Sequence, residues 1–274
     1  MKNADLMTVD QLSLRLKRGH QERHIVKRLS FTLKANRILG LIGESGCGKS
    51  LSCLAVMGLL PRAIQQTSGT IQFDGQPIDA LPFSRMRTIR GKTMAMIMQN
   101  PMSCFDAVFT IGEHFRETLA SHADKDGHSD EARINHALNA VGFDDPQSIL
   151  NLYPFQMSGG MLQRAMVALA LMMNVKLLIA DEPTSDLDVI AQARVLDLLE
   201  TIRRRHPMAV LLVTHDLGVI ARLADDVAVM RNGQIVEAGA TGEIFEACRH
   251  SYTRELINTH LNLYGQLDQF QTCV

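Results

Sequence analysis

The sequence has no tryptophan, only 3 tyrosines and no excess of basic side chains. Its 28 lysines and arginines are balanced by 29 aspartates and glutamates, which gives a net charge of -1. Proteins that neutralise nucleic-acid phosphates usually carry a basic excess, and proteins that bind single strands stack the bases on aromatic rings. The composition therefore disfavours nucleic acid as a partner.

Long apolar runs and paired cysteines are also absent from the sequence. The longest apolar run near its middle, residues 165–173, is far shorter than the about 20 residues of a membrane-spanning helix. The N-terminal segment MKNADLMTVD contains no apolar core of a signal peptide, and the 5 cysteines form no CxxC pair or metal-ligand spacing. We therefore expect a cytosolic chain with free thiols, which would serve a membrane only as a peripheral protein.

Short apolar runs that end in polar residues recur along the chain. Five of these runs predict strands, at residues 37–41, 94–98, 177–180, 209–213 and 227–230. They lack in/out alternation, which is typical of strands covered on both faces. A helical pattern that includes Val195 and Ile202 separates the third run from the fourth. This alternation favours an α/β fold with a mainly parallel sheet, in which ligands bind at the carboxyl ends of the strands.

The first of these runs leads into a segment that fits the pattern G-x-x-x-x-G-K-[ST]. The segment and the residue after it are Gly43, Glu44, Ser45, Gly46, Cys47, Gly48, Lys49, Ser50 and Leu51. Glycines let backbone N–H groups wrap around phosphate oxygens, and a following helix points its positive end at them. Lys49 can reach the β- and γ-phosphates of a nucleotide, and the Ser50 hydroxyl can ligate Mg²⁺. The alternative is a chance glycine-rich turn, which does not account for the strand–loop–helix order.

Two carboxylates, Asp181 and Glu182, stand side by side at the end of another predicted strand. Asp181 is expected to hold Mg²⁺, directly or through water. Glu182 is expected to polarise the attacking water as a general base. A solvated strand end is the alternative, and the phosphate loop argues against it. Together the two motifs predict a P-loop nucleotide-binding protein.

Three further elements narrow this prediction. Ser158, Gly159 and Gly160 open the most apolar helical pattern of the chain and form a second candidate anion site. Gln99 closes one predicted strand, where it could reach Mg²⁺ or the attacking water. His215 closes another, where its imidazole could meet the γ-phosphate. Taken singly, each is more typical of a capped turn or a hydrogen-bonded polar residue.

Taken in order, these motifs resemble the ATP-binding cassette (ABC) ATPase family. The phosphate loop, Gln99, the segment SGGMLQR, the Asp181–Glu182 pair, the segment SDLD and His215 match the family's Walker A, Q-loop, signature, Walker B, D-loop and H-loop. The resemblance extends from about residue 8 to about residue 260. It implies a P-loop NTPase fold with a RecA-like core, an antiparallel β subdomain and a helical signature subdomain. It also implies ATP hydrolysis with Mg²⁺ near Ser50, Gln99 and Asp181.

The same resemblance implies several protein partners. Two cassettes pair head to tail, so that Ser158 and Gly160 act on the nucleotide of the partner cassette and not on the one bound by Lys49. The partner is expected to be a paralogue, with an identical chain as the alternative. Two transmembrane permease subunits are implied, with a short permease helix in the groove around Gln99, and an extracytoplasmic solute-binding protein acts indirectly. The expected location is the cytoplasmic face of the inner membrane, as a peripheral protein.

One departure from the family concerns adenine. The family usually stacks the base on an aromatic residue about nine positions before the segment that here reads Leu29–Phe31. Counting back gives His20, with no tyrosine or tryptophan nearby. His20 could stack as a weaker platform, or it could belong to a loop.

Finer features resemble the dipeptide/oligopeptide/nickel importer branch of the family. They are GESGCGKS, MQNPMSCFDAVFTIGEH and the segment HSYTR at residues 250–254, which resembles that branch's HPYTR element. LYPFQMSGGMLQR and ADEPTSDLDVIAQARVLDLLE look most like the first (D-type) ATPase subunit of nickel or metallophore importers. We therefore expect the ATPase of an importer for nickel or a metal chelate.

Other functions are weighed against this expectation. A dipeptide/oligopeptide importer is the alternative within the branch. A non-transport ABC ATPase acting on DNA or ribosomes fits less well, because the stretch between Ser50 and Ser158 leaves room only for a small helical subdomain. A P-loop small-molecule kinase would not account for the signature, Gln99 and His215 together.

The length of the chain suggests how many domains it forms. At about 150 residues per domain it predicts two domains or one large α/β domain. With the resemblance, we expect one nucleotide-binding domain over residues 1–274, a helical subdomain at about 103–163 and a helical C-terminal tail at about 245–274.

Overall fold

The structure is a computed structural model that describes residues 5–18, 21–122 and 129–268. Within these residues no helix combines the length and hydropathy that crossing a bilayer requires. The strands in this part of the chain are β1 (Asp5–Arg18), β2 (Gln21–Lys34), β3 (Ile38–Ile42), β4 (Ile64–Phe73), β5 (Gln76–Pro77), β6 (Met94–Ile97), β7 (Leu177–Asp181), β8 (Ala209–Thr214), β9 (Asp226–Arg231) and β10 (Gln234–Ala240).

The helices alternate with these strands or form a group of their own. They are α1 (Lys49–Val56), α2 (Phe83–Ile89), α3 (Ile111–His122), α4 (Asp130–Ala140), α5 (Pro146–Leu150), α6 (Gly159–Met172), α7 (Val189–Arg205), α8 (Leu217–Leu223), α9 (Thr241–Ala247) and α10 (Ser251–Asp268). Short 3₁₀ turns lie at Pro101–Cys104 and Pro154–Gln156.

The larger sheet has the strand order β10-β9-β3-β8-β7-β6. Its strands are parallel except for β10, which runs antiparallel to β9. The five predicted strands are found here, with each end within one residue of the prediction. All residues of β3, β7 and β8 are buried, as their continuous apolar runs predict.

The prediction of full burial is wrong for β6. Ala95 and Met96 in its middle are only partly buried. The reason is its position, because β6 forms the edge of the sheet and has a neighbouring strand on one side only. An apolar run therefore predicts the strand correctly and does not reveal that it lies at an edge.

The smaller sheet has the strand order β2-β1-β4-β5 and is antiparallel. It contributes Leu12, Leu29 and Ile71 to a hydrophobic cluster that also contains Leu41 and Leu211 of the larger sheet. Helix α1 adds its buried side chains to the same cluster. The two sheets therefore cover one another, and α1 is fixed between them.

Helices α3 to α6 belong to a second hydrophobic cluster. Phe115, Leu138 and Leu162 are fully buried in it, together with residues of α7, α8 and α10 and with β-strand residues such as Leu178. The larger sheet thus lies between the antiparallel layer and the helices. These layers confirm the α/β fold expected from the sequence.

Candidate functional site

The loop between β3 and α1 is shaped by close backbone approach. Gly43 has a φ of 154°, and a Cβ at this position would lie 2.1 Å from the carbonyl oxygen of Met230 in β9. Gly48 has a φ of 112° and forms the N-cap of α1. Residues that carry a side chain rarely adopt such φ values, so glycine is needed at both positions. The loop therefore turns tightly and presents the free N–H groups of α1 at its mouth.

Lys49 is the first residue of α1 and is only 5% exposed. Its Nζ donates to the carbonyl oxygens of Gly43 at 2.7 Å and Glu44 at 3.0 Å. An ammonium group has three donors, so these two bonds leave one for a ligand. The loop thus holds a buried cation that can bind an anion without losing all its protein contacts.

Two cysteines lie beside this lysine. Cys47 belongs to the loop and Cys53 to α1, and both are buried. Burial raises the pKa of Cys47 and raises the pKa of Cys53 well above its ordinary value. Both thiols therefore stay protonated near neutral pH.

Strand β7 brings Asp181 to the same place. Ser50 Oγ donates to Asp181 Oδ1 at 3.0 Å, and Asp181 is buried. Burial raises the pKa of Asp181. The Ser50 hydrogen bond and the Lys49 ammonium oppose this rise, and the Glu182 charge adds to it. A carboxylate and a hydroxyl in contact are oxygen ligands of the kind that Mg²⁺ prefers, so these residues fit that ion.

Glu182 contacts three parts of the chain. Its backbone N–H donates to the carbonyl oxygen of Val213, at 2.8 Å. Its Oε2 lies 2.7 Å from His215 Nδ1 and also accepts a hydrogen bond from the Ser185 hydroxyl. The Glu182 side chain is 12% exposed, whereas that of His215 is 62% exposed. The pair therefore places a shielded carboxylate behind a solvent-facing imidazole.

The backbone at Glu182 is unusual. Its φ of 51° lies in the left-handed region, which glycine favours and other residues seldom adopt. Strained backbone of this kind clusters at functional sites, where surrounding contacts hold it in place. Here the Val213 hydrogen bond and the contact with His215 hold the residue, because β7 and β8 are neighbours in the sheet.

A cleft of about 400 Å³ brings most of the predicted residues together. It is lined by Ile25, Ser45, Gly46, Gly48, Lys49, Ser50, Leu51, Gln99, Glu182 and His215. Gln99 reaches it as an exposed residue just beyond β6. Gly43, Glu44 and Cys47 belong to the loop but do not line the cleft. The cleft therefore offers backbone amides, one cation, one carboxylate and one imidazole to a single ligand.

The signature residues lie elsewhere. Ser158 is the N-cap of α6, and its hydroxyl accepts a hydrogen bond from Met161 N at 3.3 Å. A Cβ at Gly160 would lie 3.0 Å from the Cβ of Ala191 in α7. Ser158, Gly159 and Gly160 do not line the cleft that contains Lys49. Within one chain, the signature residues are therefore not among those that face a ligand in this cleft.

His20, the candidate adenine platform, lies outside the described residues. Sequence analysis missed the cleft residue Ile25 and the Ser185–Glu182 hydrogen bond. No local pattern marks Ile25, whose role depends on how β2 passes the phosphate loop. Ser185 belongs to the recognised SDLD segment, but only the turn after Glu182 brings its hydroxyl back to that carboxylate.

Comparison with known proteins agrees with this geometry. Residues 26–185, more than half of the chain, match the family described as ABC transporter. The nickel import ATP-binding protein NikD of Rhodospirillum rubrum is 47% identical over 88% of this chain and 90% of that protein. The protein of the same name from Brucella abortus is 45% identical over 89% of this chain and 91% of its own length. The one from Pseudomonas putida is 44% identical over 86% of this chain and 90% of its own length.

Solved structures share the fold. A bacterial ABC transporter cassette solved as a dimer has a TM-score of 0.75 and 21% identity, over 86% of this chain and 98% of that chain. The cbiO1 protein of Clostridium perfringens, part of an ABC transporter complex, has a TM-score of 0.74 and 22% identity, over 97% of this chain and 99% of that chain. At these identities the likeness concerns the fold. Together with the family match and the relatives above, it means that the chain belongs to the ABC transporter family.

Proposed function

We propose that this chain is the ATP-hydrolysing subunit of an importer that takes up nickel or a nickel chelate. The observation that carries the enzymatic part is the meeting of Lys49, Gln99, Glu182 and His215 in one cleft. The names of the relatives at 44–47% identity support nickel as the cargo. A dipeptide or oligopeptide importer is the competing function, and the transport experiment below separates the two.

The substrate is ATP, with its phosphates at the phosphate loop. The amides of residues 45–50 bind phosphate oxygens, and Lys49 contributes its third donor to the β- and γ-phosphates. Ser50, Asp181 and Gln99 would hold Mg²⁺, which when bound neutralises charge on the phosphates. The contact between Ser50 and the buried Asp181 carboxylate supports this assignment.

Glu182 acts as the general base. Its carboxylate takes a proton from water, whose oxygen forms a bond to the γ-phosphorus. The bond from that phosphorus to the oxygen bridging to the β-phosphate breaks, which gives ADP and inorganic phosphate. His215 holds the carboxylate on one side, at 2.7 Å, and faces the γ-phosphate on the other. His20 is proposed as the adenine platform.

Hydrolysis requires a second cassette in this proposal. Ser158, Gly159 and Gly160 bind the γ-phosphate of ATP held by the partner, a proposal supported by their absence from the lining of their own chain's cleft. The partner cassette is a paralogue or a second copy of this chain. The whole sequence, residues 1–274, acts as one cassette, with residues 103–163 as its helical subdomain and 245–274 as its tail.

The importer also needs membrane subunits. Two permease subunits carry the cargo across the inner membrane, and this chain binds their cytoplasmic face near Gln99. An extracytoplasmic solute-binding protein delivers the cargo. The cassette contributes mechanical work, because ATP binding pairs the cassettes and hydrolysis separates them.

The test is transport by the assembled complex. The permeases, both cassettes and the solute-binding protein are reconstituted in vesicles, and ATP-dependent uptake of labelled nickel, a nickel chelate and a dipeptide is compared. We expect nickel or its chelate to accumulate, and Lys49→Met to abolish uptake while the exposed Lys176→Met does not. Uptake of the dipeptide alone would support the competing importer. ATP hydrolysis that persists in Lys49→Met would contradict the assignment of the cleft.

A further inference from the structure

Tyr252 links the C-terminal helix to the phosphate loop. It lies in the first turn of α10 and is only 3% exposed. Its hydroxyl oxygen accepts a hydrogen bond from the backbone N–H of Glu44, at 3.2 Å. The proposed mechanism gives this residue and the rest of the HSYTR segment no role. The contact nevertheless reaches the loop that holds ATP.

Several groups outside the phosphate loop hold Tyr252 in place. The Arg231 guanidinium lies over its ring, 4.5 Å from the centroid. Its backbone N–H donates to His250 Nδ1 at 3.2 Å. The backbone N–H groups of Arg249 and His250 donate in turn to the Glu237 carboxylate of β10, at 2.6 and 3.2 Å. The phenol is therefore anchored on β9, β10 and α10, independently of the loop that it contacts.

Glu44 is bonded through its backbone both to Tyr252 and to Lys49, the lysine that is proposed to bind the phosphates. The Glu44 N–H donates to Tyr252, and the Glu44 carbonyl oxygen accepts from Lys49 Nζ at 3.0 Å. Glu44 and Tyr252 line a neighbouring pocket of about 670 Å³ that shares Ser45 and Gly46 with the cleft, and the Glu44 N–H is already bonded to Tyr252. Tyr252 thus holds the Glu44 peptide, while the third donor of Lys49 and the amides of the residues that line the cleft remain available to the nucleotide.

We infer that Tyr252 is a positioning residue that fixes the phosphate loop in its ATP-binding shape. This inference rests on the proposed function, because it assigns the residue to ATP binding at the same cleft. A loop that is already ordered loses less conformational entropy when it binds a ligand, and so binds more tightly. Burial raises the pKa of Tyr252, so the hydroxyl stays neutral across the physiological range.

The deciding variant is Tyr252→Phe in the full chain. It removes the hydroxyl and keeps the buried ring beneath Arg231. Loss of one neutral hydrogen bond predicts that the Kd for MgATP, measured by titration calorimetry, rises about fivefold. In the assembled complex, KM for ATP should rise in the same proportion while kcat stays within about twofold, since Tyr252 does not touch the reacting atoms. Tyr153→Phe is the matched control, because Tyr153 is an exposed tyrosine.

Each outcome decides a separate question. Failure of the wild-type chain to bind MgATP would contradict the proposed function itself. Normal wild-type binding with equal Kd values for Tyr252→Phe and Tyr153→Phe would overturn the positioning role. A fall in kcat with unchanged KM would overturn it too.

A second variant covers the case in which Tyr252→Phe does not fold. Arg231 is exposed, so Arg231→Met loosens the ring without disturbing the core. Loss of the cation above the ring should raise the Kd for MgATP about twofold. A Kd equal to that of the wild type would overturn the inference.

Discussion

At the scale of single residues, the acidic pair at the end of β7 divides into two environments. Asp181 is buried against Ser50, and burial raises its pKa. Glu182 turns through a left-handed φ of 51° toward His215. Neighbouring carboxylates with different partners can take different roles. Asp181 therefore suits metal binding, and Glu182 suits proton transfer.

The role of Glu182 is tested by Glu182→Gln. The amide keeps the size of the side chain but cannot take a proton from water. Steady-state ATP hydrolysis by the assembled complex should fall at least about 100-fold, while the Kd for ATP stays near the wild-type value. Glu246→Gln, an exposed substitution in α9, should leave both unchanged. Rapid turnover by Glu182→Gln would rule out this residue as the base.

The raised pKa of Asp181 predicts how stability depends on pH. The raised value means that the neutral carboxyl favours folding, and this contribution is lost as the pH rises through the folded-state pKa. Asp181→Asn stays neutral throughout. We therefore compare the free energy of unfolding of Asp181→Asn with that of the wild type. The variant should gain stability relative to the wild type as the pH rises to 7 from a value below 3.8, the ordinary pKa of aspartate.

Chemical denaturation at several pH values, without nucleotide, measures this difference. Asp181→Asn should also lose the rise in Tm that MgATP gives the wild-type chain. A stability difference that does not change with pH would contradict the role of burial.

At the scale of elements, the phosphate loop depends on the contact between the end of β3 and the end of β9. Gly43 lies where a Cβ would meet the Met230 carbonyl oxygen at 2.1 Å. Arg37, just before β3, pairs with Asp226 of β9 through two hydrogen bonds of 2.9 and 3.0 Å. The Arg37–Asp226 pair thus joins the two strands where they begin, and the close approach at Gly43 leaves no room for a side chain where they end.

Gly43→Ala tests this contact against Gly75→Ala. Both glycines have positive φ, but a Cβ at Gly75 would meet no atom within 4 Å. Gly75→Ala should cost about 1 kcal/mol of unfolding free energy through its backbone alone. Gly43→Ala should cost about 3 kcal/mol or more, because β9 must also move, and it should abolish MgATP binding. Equal losses in urea denaturation would show that the close approach has no effect.

The sequence predicted these elements unevenly, for physical reasons. The buried strands such as β7 and β8 were predictable because each is a continuous apolar run. The contact between Glu182 and His215 was not predicted, since it depends on those two strands being neighbours, and strand order has no local pattern. The Tyr252–Glu44 hydrogen bond joins residues 208 positions apart and depends on the path of α10.

At the scale of the whole molecule, one chain contains two half-sites that do not meet. The cleft at Lys49 includes neither Ser158 nor its two glycines, which lie at the start of α6 near Ala191. In the proposed head-to-tail pair, each half-site meets the complementary half-site of the other chain. The separation within one chain supports a pair of cassettes as the active unit.

Ser158→Arg in one cassette of a mixed pair tests this arrangement. The added side chain should block hydrolysis of ATP held by the partner, while the variant's own Lys49 cleft binds ATP with unchanged Kd. Total turnover should fall by half or more, as measured by phosphate release. Ser68→Arg, exposed in β4, serves as the control. If both sites of the mixed pair stay active, each cassette hydrolyses ATP alone.

The buried cysteines beside the phosphate loop differ from exposed cysteines in how readily they bind a metal ion. Thiols bind soft and borderline metal ions as thiolates, and must lose a proton to do so. Burial keeps Cys47 and Cys53 protonated and shielded from solvent. A nickel ion would have to displace a proton from a buried thiol to bind beside the phosphate loop, which weakens both cysteines as ligands for such a metal.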